Sequence, residues 1–251
     1  MINCGILFNA KQNYFLPYLK WILKEKEVSN YFNLSGILTN DVEYLHDNCI
    51  DTPVCNSLEQ LIERSDVVFS LGYWKIIKKE QILEVPIGII NFHHSYRLKY
   101  RGRHCSTWAL RYGEKVHGST MHFIDENLDE GRIIDTRSFL VQKNDTAEDL
   151  FFKANQVGYS MLKDNFQNVL KGNCAKLSIK HDKEFKYFKS SDLKHIISND
   201  LINDEGKLLR EIKSLTFDNK QAPYLMLGGK RVYLKLESHD DGILRKEKLE
   251  R

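Results

Sequence analysis

The sequence lacks several features that would place it in a familiar class. No run of about 18 apolar residues occurs, so no membrane-spanning helix and no membrane partner are expected. The opening Met1-Ile2-Asn3-Cys4-Gly5-Ile6-Leu7-Phe8 has no basic leader of the kind that marks a secretion signal. Five cysteines (Cys4, Cys49, Cys55, Cys105 and Cys174) are odd in number, scattered and without a Cys-x-x-Cys pair. That pattern argues against a disulfide framework and fits reduced thiols in a cytoplasmic protein. An excess of charge is missing too: 37 basic against 34 acidic side chains leave a formal +3 over 251 residues. Such a balance does not suit a protein whose main partner is a nucleic-acid backbone. There is no internal repeat and no low-complexity tract.

What is present is an alternation of short apolar runs with amphipathic stretches, the pattern of a sheet wrapped by crossover helices. Candidate strands are residues 3–8, 34–39, 66–71 and 87–92, with helical spacing over 13–24 and 57–63. The second helix opens with Ser57-Leu58-Glu59-Gln60, a capping-box pattern. Val85-Pro86-Ile87-Gly88-Ile89-Ile90 has no polar alternation and reads as a buried parallel strand. Strands over 118–124 and 132–142 are joined by an acidic turn at 125–131. A long helix follows, capped by Thr146 and closed by Lys171-Gly172-Asn173. From about residue 175 the chain is charged and short of apolar runs, with a hairpin expected around Gly228-Gly229, between 224–227 and 232–236. The charged tail, 246–251, is expected to fray. The fold class is therefore α/β, a mostly parallel sheet with flanking helices plus a small C-terminal subdomain. The expected division is a main domain over 1–174 and an appendage over 175–251.

Ligands of open parallel sheets collect beyond the carboxyl ends of strands. The strand at 87–92 delivers Asn91, His93, His94 and Ser95 to that end. Alternate strand residues share a face, so Asn91 and His93 project together and Phe92 turns away. An amide N–H can donate to a developing oxyanion, and an imidazole titrating near neutrality can take a proton from an attacking amine. Asp129, in the acidic turn, could orient that imidazole, although sequence spacing does not prove contact. His93, His94, His104 and Cys105 also admit a reading as metal ligands. Adjacent strand histidines point to opposite faces, however, which makes joint coordination awkward.

Taken together, Asn91-x-His93-x-Ser95, Tyr100-Arg101-Gly102 and Gly118-x-Thr120-x-His122 running into Asp129-x-Gly131 resemble the signature of folate-dependent formyltransferases. The resemblance covers about residues 1–170 and implies a Rossmann-like fold without the glycine-rich dinucleotide loop, which this sequence lacks. Arg97-Leu98 stands where the family usually has Leu-Pro, which puts the geometry of that loop in question. The resemblance implies oxyanion stabilisation by Asn91, general base action by His93, and support and proton relay by Asp129. It implies 10-formyltetrahydrofolate as formyl donor, held along Pro86, Ile87 and Ile90 and the turn with Asp125 and Asp129, and no metal.

Within that family the segments 70–75, 91–95 and 100–109 look most similar to the sugar N-formyltransferases. The resemblance then implies a nucleotide-linked amino sugar as acceptor, first of all dTDP-4-amino-4,6-dideoxyglucose, made for O-antigen or other lipopolysaccharide biosynthesis. A diphosphate calls for cations, and Lys75, Arg101 and Arg103 flank the catalytic strand, with Tyr73 and Tyr100 beside them. Tyr224 resembles a position that can stack on the base. A homodimer is implied, with the appendage carrying the contact. Methionyl-tRNA and glycinamide-ribonucleotide formyltransferases are the alternatives, together with a non-catalytic nucleotide-sugar-binding module. From Lys176 onward there are 17 basic and 13 acidic residues, a weak balance for a tRNA-binding module.

Overall fold

The computed structural model describes residues 1–174, 185–217 and 221–236. The expected frayed tail, 246–251, lies outside the described residues, as does 175–184 of the appendage.

Six strands form the main sheet: β1 (Ile2–Phe8), β2 (Phe32–Thr39), β3 (Val67–Leu71), β4 (Gly88–His93), β6 (Val116–Phe123) and β7 (Ile133–Leu140), in the order β2-β1-β3-β4-β6-β7. The first four run parallel, and β6 and β7 are antiparallel. The expected buried parallel strand is thus parallel on one side only: β4 pairs β3 in parallel and β6 in antiparallel. It also begins later than expected, at Gly88, leaving Pro86 exposed ahead of it.

Strand alternation assigns the two faces. Cys4, Ile6 and Phe8 of β1, Val67 and Phe69 of β3, and Ile90 and Phe92 of β4 join the larger core. That core is closed by α1 (Leu16–Val28) and α6 (Ala147–Leu170). Leu7, Val68 and Ile89 face the other way, against α3 (Leu58–Ile62). Burying both faces explains why these strands read as near-continuous apolar runs. Phe166 of α6 anchors the larger core, with its ring 5.2 Å from Trp21, 5.3 Å from Phe32 and 5.2 Å from Phe69.

Local signals act as written where side chains can reach. The Thr146 hydroxyl accepts from the Asp149 amide and the Asp149 carboxylate accepts from the Thr146 amide, a closed capping box at the start of α6. At α3 only half of the box forms: the Ser57 hydroxyl accepts from the Gln60 amide, but Gln60 Oε1 turns to the amide of Asn56. The remaining short helices are α2 (Val42–Asp47), α4 (Lys79–Leu83) and α5 (Cys105–Arg111).

The C-terminal stretch is stitched onto this body. Its strand β8 (Lys186–Phe188) pairs in parallel with β5 (Tyr100–Gly102), which lies in the loop after β4. Helix α7 (Glu205–Leu215) is tied to α5 by Arg111 Nε donating to Glu211 (3.1 Å). The hairpin of β9 (Tyr224–Leu227) and β10 (Lys230–Tyr233) turns at Gly228-Gly229, both with positive φ. A two-residue turn of that kind places the second strand immediately after it, so β10 starts earlier than the expected 232.

Candidate active site

Four groups meet where β4 ends. On β4, Asn91 lies opposite His122 of β6, and His93 lies opposite Thr120. The β6–β7 turn then brings Asp129 back to the strand, with His93 Nδ1 3.5 Å and His122 Nε2 3.9 Å from its Oδ1. Asp129 Oδ2 accepts from the Gly102 amide at 2.9 Å. Asp129 itself is left-handed (φ 54), a conformation aspartate tolerates better than most residues and one that recurs at functional turns.

His93 is held from both sides. Its Nε2 lies 2.7 Å from the Tyr100 carbonyl, which can only accept, so this nitrogen carries a proton. The Cys105 sulfur approaches the same nitrogen at 3.3 Å. Burial disfavours a charged ring, but the Asp129 carboxylate, the Cys105 sulfur and the Tyr100 carbonyl outweigh it and raise the pKa to about 10. Burial likewise pushes the Asp129 carboxyl up, but His93, His122 and the Gly102 amide bring its pKa below the usual range. The raised pKa departs from the expected titration near neutrality and favours the protonated ring, an imidazolium paired with Asp129.

His122 is the residue to which the sequence reading assigned no role. Its Nδ1 donates to its neighbour's carbonyl, Phe123 O (2.8 Å), which leaves Nε2 as an acceptor for Asn91 Nδ2 at 3.3 Å. Burial lowers its pKa to about 4, so it stays neutral. One N–H of Asn91 is thereby fixed and the other is left to meet a ligand. The signal was its place in Gly118-x-Thr120-x-His122, two residues before a turn, but only strand register shows that it faces Asn91. Cys105, which the sequence offered only as a candidate metal ligand, opens α5 beside His93, and the Tyr100 carbonyl, a backbone atom, had no signal in sequence.

Ser95 and Thr120 hold the loop beyond β4. Ser95 Oγ accepts from the Tyr100 amide (2.8 Å), and Thr120 Oγ1 donates to the Ser95 carbonyl (2.7 Å). Arg97 and Leu98, the pair that departs from Leu-Pro, both adopt positive φ (52 and 56). The strain is held by burial of Leu98 and by the Arg97 amide donating to Thr136 Oγ1 (3.1 Å).

A cavity of about 860 Å³ opens onto this cluster. Tyr73, Lys75, Asn91, His93, Arg103, Asp125 and Asp129 all line it. Other expected contacts lie elsewhere. Arg101 is 2% exposed, ion-paired with Glu130 and stacked on Phe185, so it braces the acidic turn rather than reaching a ligand. Tyr100 is buried with its hydroxyl donating to Glu114 (2.7 Å). Ile90 packs in the core, and Ile87 lines a shallow groove with Ile2 and Tyr31 near the opposite strand ends. The exposed Pro86 precedes β4, and Tyr224 stands on the hairpin with its ring 5.7 Å from Tyr233. None of these last side chains lines the cavity: Pro86, Ile87 and Ile90 sit ahead of or inside β4 rather than at its end, and Tyr224 sits on β9.

The histidine pair separates as strand geometry requires. His94 turns among aromatic rings, 4.7 Å from Phe151 and 5.8 Å from Phe15, and burial lowers its pKa to about 3. His94 thus faces away from His93.

Residues 47–165 match the sequence model of the formyl transferase family. A methionyl-tRNA formyltransferase from Clostridioides difficile strain 630 is 34% identical over 152 residues, 60% of this chain and 47% of that protein. The chain spans about half the length of that relative and less of several others. Among solved structures, WlaRD, a sugar 3N-formyl transferase crystallised with dTDP and 5-N-formyl-THF, superposes with a TM-score of 0.73 at 25% identity. That match covers 92% of this chain and 85% of WlaRD. A 4-N formyltransferase from Francisella tularensis shares the fold (TM-score 0.78, 17% identity, 94% and 97% covered). Sequence and fold agree: residues 47–165 of this chain match the formyl transferase family, and the chain shares the fold of the sugar 3N-formyl transferase.

Proposed function

We propose that this protein is a folate-dependent N-formyltransferase that moves the formyl group of 10-formyltetrahydrofolate to the amino group of a nucleotide-linked amino sugar. The observation that carries the proposal is the convergence of Asn91, His93, His122 and Asp129 on one cavity large enough for two ligands. In the proposed sequence the neutral amine adds to the formyl carbon, and the carbonyl oxygen, now negative, accepts from the free N–H of Asn91. The imidazolium of His93 protonates the folate nitrogen as its bond to carbon breaks. The neutral ring so formed takes the proton lost by the amine, and Asp129 steadies it through both steps. Products are a formamide and tetrahydrofolate, with no proton gained or lost overall.

Two features support a sugar acceptor: the superposition on the sugar 3N-formyl transferase over nearly the whole chain, and cations on the cavity wall that form no ion pair with a described residue. The first acceptor to test is dTDP-4-amino-4,6-dideoxyglucose. The 3-amino isomers come next, since the neighbour at 25% identity is a sugar 3N-formyl transferase. A role in O-antigen synthesis, a cytoplasmic site of action, a homodimer and a 1–174/175–251 division of labour belong to the same proposal. Tetrahydrofolate release from 10-formyltetrahydrofolate, measured across a panel of nucleotide amino sugars, tests it. A second reading, transfer to methionyl-tRNA, is favoured by the 34%-identical relative. Charged initiator tRNA in the same assay decides, because turnover with tRNA alone overturns the sugar reading.

A further inference from the structure

The segment joining β5 to α5 brings a thiol onto a nitrogen of the catalytic ring. Gly102 (φ +79) and His104 (φ 62) are both left-handed, and they turn the chain from the end of β5 directly into α5. Cys105, the first residue of α5, is thereby set beside Tyr100. Its Sγ lies 3.3 Å from His93 Nε2 and 3.3 Å from the Tyr100 carbonyl oxygen, which is itself 2.7 Å from the same nitrogen. A thiol is a weak donor and a weak acceptor. The carbonyl can only accept, so it takes the S–H and the Nε2–H together and leaves the sulfur lone pairs to the imidazole. An apolar side chain would pack as well as Cys105 does in the cluster with Trp108, Ala109 and Leu150, but it would take no share of the Nε2 proton.

The other titratable neighbours of the ring are occupied elsewhere or sit on its far side. Asp129 approaches Nδ1 from the β6–β7 turn at 3.5 Å. Burial keeps His94 on the same strand, and His117 and His122 on β6, neutral. On β5, the Tyr100 hydroxyl donates to Glu114 and Arg101 pairs with Glu130. We propose that Cys105 is a positioning residue for His93: its sulfur and the Tyr100 carbonyl hold the Nε2–H between them, which fixes the ring and leaves Nδ1, on the Asp129 side, as the nitrogen that exchanges protons. The catalytic consequence rests on the formyl-transfer reading above, whereas the hold on the ring is independent of the acceptor. An acceptor beside Nε2–H favours the charged ring. Burial opposes that charge, but Asp129 first and Cys105 after it outweigh burial and raise the pKa to about 10. The carbonyl belongs to the backbone, so the sulfur is the part of this hold that substitution can remove.

Three variants of the full chain test this. Cys105→Ala removes the sulfur, Cys105→Val fills its space without a polar atom, and Cys105→Ser restores a donor and acceptor. NMR titration of the His93 ring nitrogens reads the hold without any substrate. The His93 pKa falls by about half a unit to one unit in the Ala and Val variants and returns most of the way in Cys105→Ser. In turnover at neutral pH, kcat of Cys105→Ala drops about 5- to 50-fold while KM for 10-formyltetrahydrofolate and for the acceptor stays within about twofold. The alkaline limb of its kcat profile moves to lower pH with the ring, and Cys105→Ser recovers most of kcat. Circular dichroism and melting check that each variant is folded, and two apolar replacements of different size keep the test open if one is not. A packing role alone lowers melting temperatures and leaves the His93 titration and the alkaline limb where they are in the parent, which overturns the proposal. So does a loss that falls on KM. A parent that releases no tetrahydrofolate with any acceptor takes down the formyl-transfer reading, while the His93 titration still decides the role of Cys105.

Discussion

His93 is gripped by three elements at once: its own strand, the Tyr100 carbonyl of β5 and Asp129 of the β6–β7 turn. Replacing it in His93→Asn keeps a polar side chain and removes the proton carrier. Turnover is expected to fall on the order of 10² to 10⁴ with nucleotide-sugar affinity largely intact. Single-turnover kinetics beside a binding titration checks this, and near-parental rates would remove His93 from the chemistry. The same pair has a signature in stability. A histidine whose folded pKa is raised from about 6.5 to about 10 stabilises the fold fully below the unfolded value and loses that contribution as pH climbs through the folded one. Asp129→Asn removes the partner, so its melting temperature should lie below the parent's at neutral pH and converge on it towards pH 10. Parallel melting curves across that window would show that the pair is not charged. At this scale the sequence was most informative about Asn91 and His93, because strand alternation alone puts them on one face. It was silent on the Tyr100 carbonyl and misleading on Arg101, whose burial against Glu130 and Phe185 depends on packing that no local pattern announces.

Gly102 is the joint between elements. It adopts φ +79, its amide holds Asp129, and a Cβ there would run into the Phe188 carbonyl of β8. Gly102→Ala should therefore cost about 1–3 kcal/mol from backbone strain. It should also lower turnover about tenfold or more by shifting the carboxylate that steadies His93. Chemical denaturation with an activity assay on the same sample checks both effects. A variant of parental stability and activity would mean that the β5–β8 junction yields freely. Elements built on strong periodicity were legible: β1, β3 and the Thr146-capped α6 lie within a residue or two of where their patterns put them. Elements that depend on a partner were not. β8 is three residues long and only partly buried, so nothing in its own sequence distinguishes it from loop until β5 is beside it.

The molecule as a whole carries an acid weakness. Burial lowers the pKa of His94 to about 3, of His117 to about 3 and of His122 to about 4. Unfolding frees each ring to take a proton near its ordinary value of about 6.5. The stability held in these three neutral rings is therefore complete above pH 6.5 and falls steeply as pH drops from there towards 4, with the unfolded state binding more protons. His117→Gln, which keeps a polar group near Ser106, should flatten that fall. A melting temperature independent of pH between 6.5 and 4.5 would contradict the assignment of three neutral rings. The parallel pairing of β5 with β8 has a further consequence during synthesis. A ribosome exposes Gly102 long before it has made Phe188, so the nascent chain carries Asn91, His93 and Asp129 on an unfinished wall until the late strand docks. Refolding should accordingly show Trp21 packing against the sheet core ahead of both the stacking of Trp108 on Phe188 and recovered catalytic turnover.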